Sequence, residues 1–307
     1  MEFLYLLEKI RVPGINEFML LITQLGEETA FLVLALMVFW CVDKRKGYYL
    51  MAVGVAGTII NQFLKLWFRI PRPWILDPNF TILEQAREAA TGYSFPSGHT
   101  QMAVGTFGCL AVTTKKKVVS VICITLAVLV AFSRMYIGVH TPADVLTSVG
   151  IACLLIVMLR PVATRWEEKQ MKTVLAGLLI LTLGLLVFVE YYPLGEVDAH
   201  NLESGMKNAY TMQGSLIGMA VVYLAERKYV NFETKAVWWA QLLKVILGLA
   251  LVLLVKEGLR SPLEMVMPSY EARSVRYFLI VLTAGLLWPM TFRWFGKLGA
   301  KHELRNH

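Results

Sequence analysis

The sequence predicts an all-α, polytopic membrane protein with about nine transmembrane helices. Three observations carry this. Of 307 residues, 57% are hydrophobic and 17% charged, whereas a soluble chain carries about a quarter charged residues. The apolar residues come in long runs such as the uncharged stretch 178–189, and such a run within about 20 residues crosses a bilayer as a helix. A transmembrane β-barrel would instead alternate apolar and polar residues. The basic residues sit in short clusters between the runs. The net charge of +8 therefore reads as a topology signal rather than a nucleic-acid surface.

The elements follow in order. Phe3, Leu4, Leu6, Leu7 and Ile10 alternate with Glu2, Glu8, Lys9 and Arg11, the pattern of a short amphipathic helix on the membrane surface. A basic n-region and a small-residue cleavage site are missing there, which argues against a cleaved signal peptide. Spans are expected near 18–42, 48–68, 96–113, 118–134, 143–159, 173–192, 208–225, 236–255 and 275–295. The loops at 43–47, 114–117, 160–172, 226–235 and after 293 hold more than half of the 30 Lys and Arg residues. They are assigned to the cytoplasmic side, with the N-terminus outside and the C-terminus inside. The long outer loops are then 69–95, 193–207 and 256–274, where function is expected. The polar break at 160–172 divides the chain into residues 1–160, the amphipathic segment plus a five-span core, and residues 161–307, a four-span extension. Cys41, Cys109, Cys123 and Cys153 lie in or at the end of apolar runs without CxxC spacing and read as reduced core cysteines.

Three segments carry chemistry, and the assigned topology puts all of them at the outer face. The first runs from Lys65 to Arg72-Pro73. Snorkelling accounts for these two cations taken singly, but arginine also offers a planar fork for phosphate oxygens and lysine a mobile point charge. The second, Pro96-Ser97-Gly98-His99-Thr100, reads as a helix start. Free backbone N–H groups and the positive dipole end attract an anion there, and a capped helix alone gives no reason for a histidine in that turn. The third runs from Ser133-Arg134 to His140-Thr141-Pro142-Ala143-Asp144. Thr141 suits a cap and Pro142 the first helical position. A four-residue separation can bring the Asp144 carboxylate to the His140 ring, leaving the other ring nitrogen free to attack; Asp144 can equally cap its own helix. The chain has five histidines, and two lie in these segments. With three cations and no metal-ligand cluster, the set suggests phosphoryl transfer through a phosphohistidine.

Lys-x6-Arg-Pro, then Pro-Ser-Gly-His, then Ser-Arg-x5-His-x3-Asp resembles the signature of the type 2 phosphatidic acid phosphatase (PAP2) superfamily, without a substitution and in order. The motifs cover residues 65–144; residues 161–307 carry none. The resemblance implies that His140 is the nucleophile, that Asp144 orients it, and that His99 is the acid and base. It implies that Lys65, Arg72, Ser97, Gly98 and Arg134 bind phosphate. It implies no cofactor and no metal, a phosphorylated lipid as substrate among membrane lipids, and a bacterial plasma membrane as location. A homodimer is left open and no nucleic-acid partner is expected. Three readings compete: a phosphotransferase using the same intermediate, a phosphatase for soluble sugar phosphates, and a lipid transporter. A transporter would use Lys244, Lys256, Glu257 and Arg260. Lys244 reads instead as snorkelling near an inner span end and the others as interfacial, and a transporter has no use for the His99 and His140 pair.

Overall fold

Every helical stretch expected from the sequence forms, but the first is broken. The computed structural model describes residues 1–165, 167–192 and 197–298. Trp166 of the predicted break, residues 193–196 of the predicted outer loop and residues 299–307 of the basic C-terminal cluster lie outside the described residues. Helix α1 (Glu2–Lys9) buries Leu4 and Leu7 and turns Phe3, Leu6 and Ile10 outward, as its amphipathic pattern requires. Helices α2 (Pro13–Thr23) and α3 (Glu28–Cys41) occupy the predicted span 18–42 as a pair bent by 53° about the turn Gln24–Gly26. The continuous first span is corrected for a packing reason. A Cβ on Gly26 would stand 2.8 Å from the His99 carbonyl oxygen, so only glycine lets these backbones meet.

The chain continues with α4 (Lys44–Phe68), the single turn α5 (Pro73–Leu76), α6 (Gly98–Thr113), α7 (Lys117–Ile137) and α8 (Pro142–Thr164). Then come α9 (Glu168–Tyr191), α10 (Ala199–Ala225), α11 (Trp238–Gly258), α12 (Arg260–Val266), α13 (Ser269–Leu282) and α14 (Phe292–Lys297). Helices α8 and α9 both run into the polar stretch 160–172, and the predicted outer loop 256–274 contains α12. Among the described residues, six helical segments are long and apolar enough to cross a membrane, or seven if the bent pair is one span. Helix α6 has 16 residues, short for a bilayer that needs about 17–25. Helix α10 carries His200, Asn201, Glu203, Lys207 and Asn208 in its first ten residues. The lipid-facing sides of the spanning helices are apolar, with Val118, Ile122, Val128, Leu146, Val157, Ile180 and Leu183 all exposed. Water would not tolerate such a surface, whereas lipid tails do. The protein is an integral membrane protein.

Helix α4 is the axis of the molecule. It packs on α6 and α8 and also on α9 and α10. Tyr49 of α4 donates to the Ile156 carbonyl of α8 at 2.6 Å. The extension is bolted on at the opposite end of α4 from Lys65. There Lys44 pairs with the buried Glu226 at 2.8 Å, and Trp40 Nε1 donates to the Ala284 carbonyl at 2.8 Å. Lys244 does not snorkel. It is buried, donates to the carbonyls of Trp40 and Thr234 at 3.1 Å each, and lies over the Phe292 ring. The free carbonyls at the end of α3 draw it inward, since a helix C-terminus favours a cation.

Candidate active site

Four helix ends meet to build the site. Lys65 lies in the last turn of α4, buried, with its ammonium donating to the Tyr93 carbonyl. Arg72 stands between Pro71 and Pro73. Its extended backbone, φ −68 and ψ 154, is what a residue before proline adopts. This conformation sends its guanidinium inward. Nε donates to the Gly92 carbonyl at 3.1 Å, Nη2 to the Thr91 carbonyl at 2.7 Å and Nη1 to the Val139 carbonyl at 3.0 Å. Ser97 caps α6, accepting from the Thr100 amide at 3.4 Å and the Thr100 hydroxyl at 2.9 Å. Gly98 opens that helix, and His99 follows with its Nε2 buried and unpartnered. Arg134 ends α7, fully buried, with Nη1 donating to Thr23 Oγ1 at 2.6 Å and Nε unpartnered.

Between α7 and α8 the chain turns at Gly138, whose φ of +95 is a left-handed value that favours glycine. His140 follows and is 1% exposed. Its Nδ1 lies 3.3 Å from Asp144 Oδ2 and its Nε2 lies 2.9 Å from Arg72 Nη1. Arginine has donors only, so Nε2 must accept and Nδ1 must carry the proton that Asp144 receives. This fixes both the tautomer and the neutral state. Burial first, then the charges of Arg72, Arg134, Lys65 and His99, holds His140 well below the usual histidine range. Asp144 proves to be both cap and partner. Its Oδ2 accepts from the Thr141 amide at 2.8 Å, from Ser94 Oγ at 2.6 Å and from His140.

All eight residues expected at the site converge. Lys65 and Arg72 face the Asp144 carboxylate and Arg134 faces Glu27, so three cations meet two carboxylates and leave an excess of positive charge in a buried place. Such a place is built for an anion. Sequence reasoning missed the residues that hold this set. Ser94 braces Asp144, and Thr23 anchors Arg134 from outside the three motifs. Ser148 donates to the carbonyls of both Ser97 and Asp144 at 2.9 Å, tying α6 to α8. Asn61, one turn before Lys65, reaches the Pro96 carbonyl at 3.4 Å. A polar residue inside an apolar span was the one available signal for it.

The comparisons identify the family. Phosphatidylglycerophosphatase B of Bacillus subtilis (strain 168) is 30% identical over 164 residues, covering 49% of this chain and 76% of that protein. Residues 45–172 match the PAP2 superfamily. The chain belongs to the PAP2 superfamily. Residues 210–301 match a second description, the PAP2 superfamily phosphatase transmembrane extension. This PAP2 chain is also 31% identical over 127 residues to undecaprenyl-diphosphatase BcrC of the same organism, covering 41% of this chain but 63% of the relative. Human sphingosine-1-phosphate phosphatase 2 is 30% identical over 146 residues, covering 46% of this chain and 36% of that one. The crystal structure of a transmembrane PAP2 type phosphatidylglycerolphosphate phosphatase from Bacillus subtilis aligns with a TM-score of 0.45 at 28% identity, covering 54% of this chain and 84% of that one. By its family the protein is a PAP2-type phosphoric ester hydrolase.

Proposed function

We propose that the chain hydrolyses phosphorylated lipids at the outer face of a bacterial plasma membrane through a phosphohistidine on His140. One observation carries this reading: the neutral His140 ring lies between Asp144 on Nδ1 and Arg72 on Nε2. At rest the Arg72 guanidinium covers the nucleophilic lone pair. An arriving phosphoryl oxygen takes over that N–H and uncovers Nε2.

In the first step His140 Nε2 attacks phosphorus while the bond to the leaving oxygen breaks. His99, which takes up a proton as the bound phosphate anion offsets the surrounding cations, gives that proton to the leaving oxygen. In the second step neutral His99 takes a proton from water, hydroxide attacks phosphorus and the P–N bond breaks. Inorganic phosphate leaves, and both histidines return to their starting states. Asp144 keeps the Nδ1 proton throughout and stabilises the charge that develops on the ring. Lys65, Arg72, Arg134, Ser97 and the Gly98 amide hold the equatorial oxygens, so positioning and electrostatics supply most of the rate. Three cations fill the role a metal ion has elsewhere.

The names of the relatives support a lipid monophosphate or diphosphate as substrate. Trp67, Phe68, Ile75 and Leu76 are exposed around the arginine that meets His140, and they offer tails an apolar surface. Residues 1–160 act as the catalytic core and 161–307 as the extension, in a nine-span layout with the N-terminus outside and the C-terminus cytoplasmic.

The test is phosphate release from phosphatidate, phosphatidylglycerophosphate, sphingoid phosphate, undecaprenyl diphosphate and glucose 6-phosphate, with and without excess chelator. A lipid is the preferred substrate, the chelator has no effect, and His140→Ala inserts but releases nothing. Wild-type turnover by His140→Ala, or activity restored only by a divalent ion, would overturn the mechanism. Preference for glucose 6-phosphate would overturn the lipid.

A further inference from the structure

The extension contains two arginines that the catalytic reading does not use. Arg273 and Arg276 lie four and seven residues into α13, about 6 and 10 Å along the helix at 1.5 Å per residue. Arg276 is 7% exposed. It is therefore packed among protein side chains, where a snorkelling arginine would reach out to the interface. Its Nε is buried without a hydrogen-bond partner. Arg273 donates through Nε to the Lys207 carbonyl at 3.1 Å and to Thr211 Oγ1 at 2.7 Å, which leaves its terminal nitrogens. The two guanidinium carbons lie 5.4 and 5.8 Å from the centre of the same Tyr277 ring. The two cations are therefore no more than about 11 Å apart.

Among the described residues no carboxylate comes within the 4.0 Å of an ion pair for either arginine. The carboxylates facing Tyr277 are Glu28, at the start of α3, and Glu257, near the end of α11. The nearby Lys207 is already paired with Glu203 at 2.6 Å. Two like charges held together in a membrane-spanning segment without a paired carboxylate are costly and mark a site. The arginine fork matches phosphate oxygens. The location is on the catalytic face. Ser204 of α10 lies at Gly92 beside Lys65, and Thr211 is seven residues further along the same helix, about 10 Å.

We infer that Arg273 and Arg276, with the Tyr277 ring, form a second anion site on the extension that takes the phosphate of a lipid headgroup. The phosphate comes either from a separate anionic membrane lipid or from a distal anionic group of a large substrate. The site is distinct from the His140 centre.

The experiment uses the full chain in detergent and follows thermal unfolding while phosphatidylglycerol or phosphatidylcholine is added. Phosphatidylglycerol raises the wild-type midpoint by several degrees and phosphatidylcholine does not. Arg273→Gln/Arg276→Gln loses this selectivity, while His140→Ala keeps it, so the readout stands whether or not the chain turns over lipid. Arg276→Lys covers the case in which the double variant fails to fold, and it retains part of the selective shift. In parallel, KM is measured for lipids carrying one and two phosphates. A separate lipid leaves both KM values unchanged in the variant. A distal substrate phosphate raises KM about fivefold or more for the two-phosphate lipid alone. Equal phosphatidylglycerol shifts in wild type and double variant, with unchanged KM values, would overturn the site. So would a Glu28→Gln variant that loses stability without binding phosphatidylglycerol more tightly, because Glu28 would then be the counter-charge.

Discussion

The hydrogen bonds on a single carboxylate oxygen set the chemistry of His140. Asp144 Oδ2 accepts from Ser94, Thr141 and His140, so it is fixed before any substrate arrives. Hydrogen bonds to a charged group contribute about 1.5–3 kcal/mol each. Ser94→Ala should therefore fold normally and lose roughly tenfold or more in kcat, since about 1.4 kcal/mol is tenfold, with little change in KM. His99→Ala should lose about 10²–10⁴ in rate, the usual worth of acid–base assistance. A leaving group that needs no proton should recover much of it. The pH profile follows from the direction of the His140 shift. Its folded pKa is depressed, so it stays neutral below its ordinary value of about 6.5. The acid limb of kcat/KM set by the free-enzyme nucleophile should lie below pH 6.5, and a limb above that value would contradict a buried neutral ring. Stability has the same sign. The unfolded chain binds this proton more readily, so His140's contribution is present above about 6.5 and falls as pH drops toward the depressed value.

At the scale of elements, the motifs became a site because helix ends meet there. Pro71 and Pro73 hold Arg72 extended, Ser97 and Thr141 cap two helices, and Gly138 turns the chain between α7 and α8. Each of these was readable from residue type and spacing. The break between α2 and α3 was not, because the contact that requires it, Gly26 against His99, joins residues far apart in the chain. The same holds for Thr23, whose hold on Arg134 depends on that bend. Helices α10 and α13 show a second contact of this kind. A Cβ on Gly214 would fall 1.9 Å from the Ser274 carbonyl oxygen, so the two helices touch backbone to backbone. Gly214→Ala must push them apart, and overpacking of this kind costs about 1–3 kcal/mol. Its thermal midpoint in detergent should fall, whereas Gly177→Ala, with open space around it, should leave the midpoint nearly unchanged.

For the whole molecule, α4 joins two functions at its two ends. Lys65 lies at the proposed phosphate site at one end, and Lys44 clamps the extension through Glu226 at the other. Glu226 is fully buried, and removing its partner leaves an uncompensated charge, a loss of about 3–5 kcal/mol. Lys44 keeps some solvent contact, so Lys44→Ala should fall at the lower end of that range in thermal unfolding, and Lys44→Leu/Glu226→Leu should be milder than the single change. The sequence by itself determined the class of molecule and its kinship with phosphoric ester hydrolases. Long apolar runs admit only helices in a bilayer, and two histidines, three cations and an aspartate at or beside helix ends admit few reactions. Tertiary structure alone decided how His140 is held. The neutral tautomer follows from an arginine 68 residues away and a serine 50 residues from Asp144. Neither contact has any trace in local spacing, because both form only when the ends of four helices are packed together.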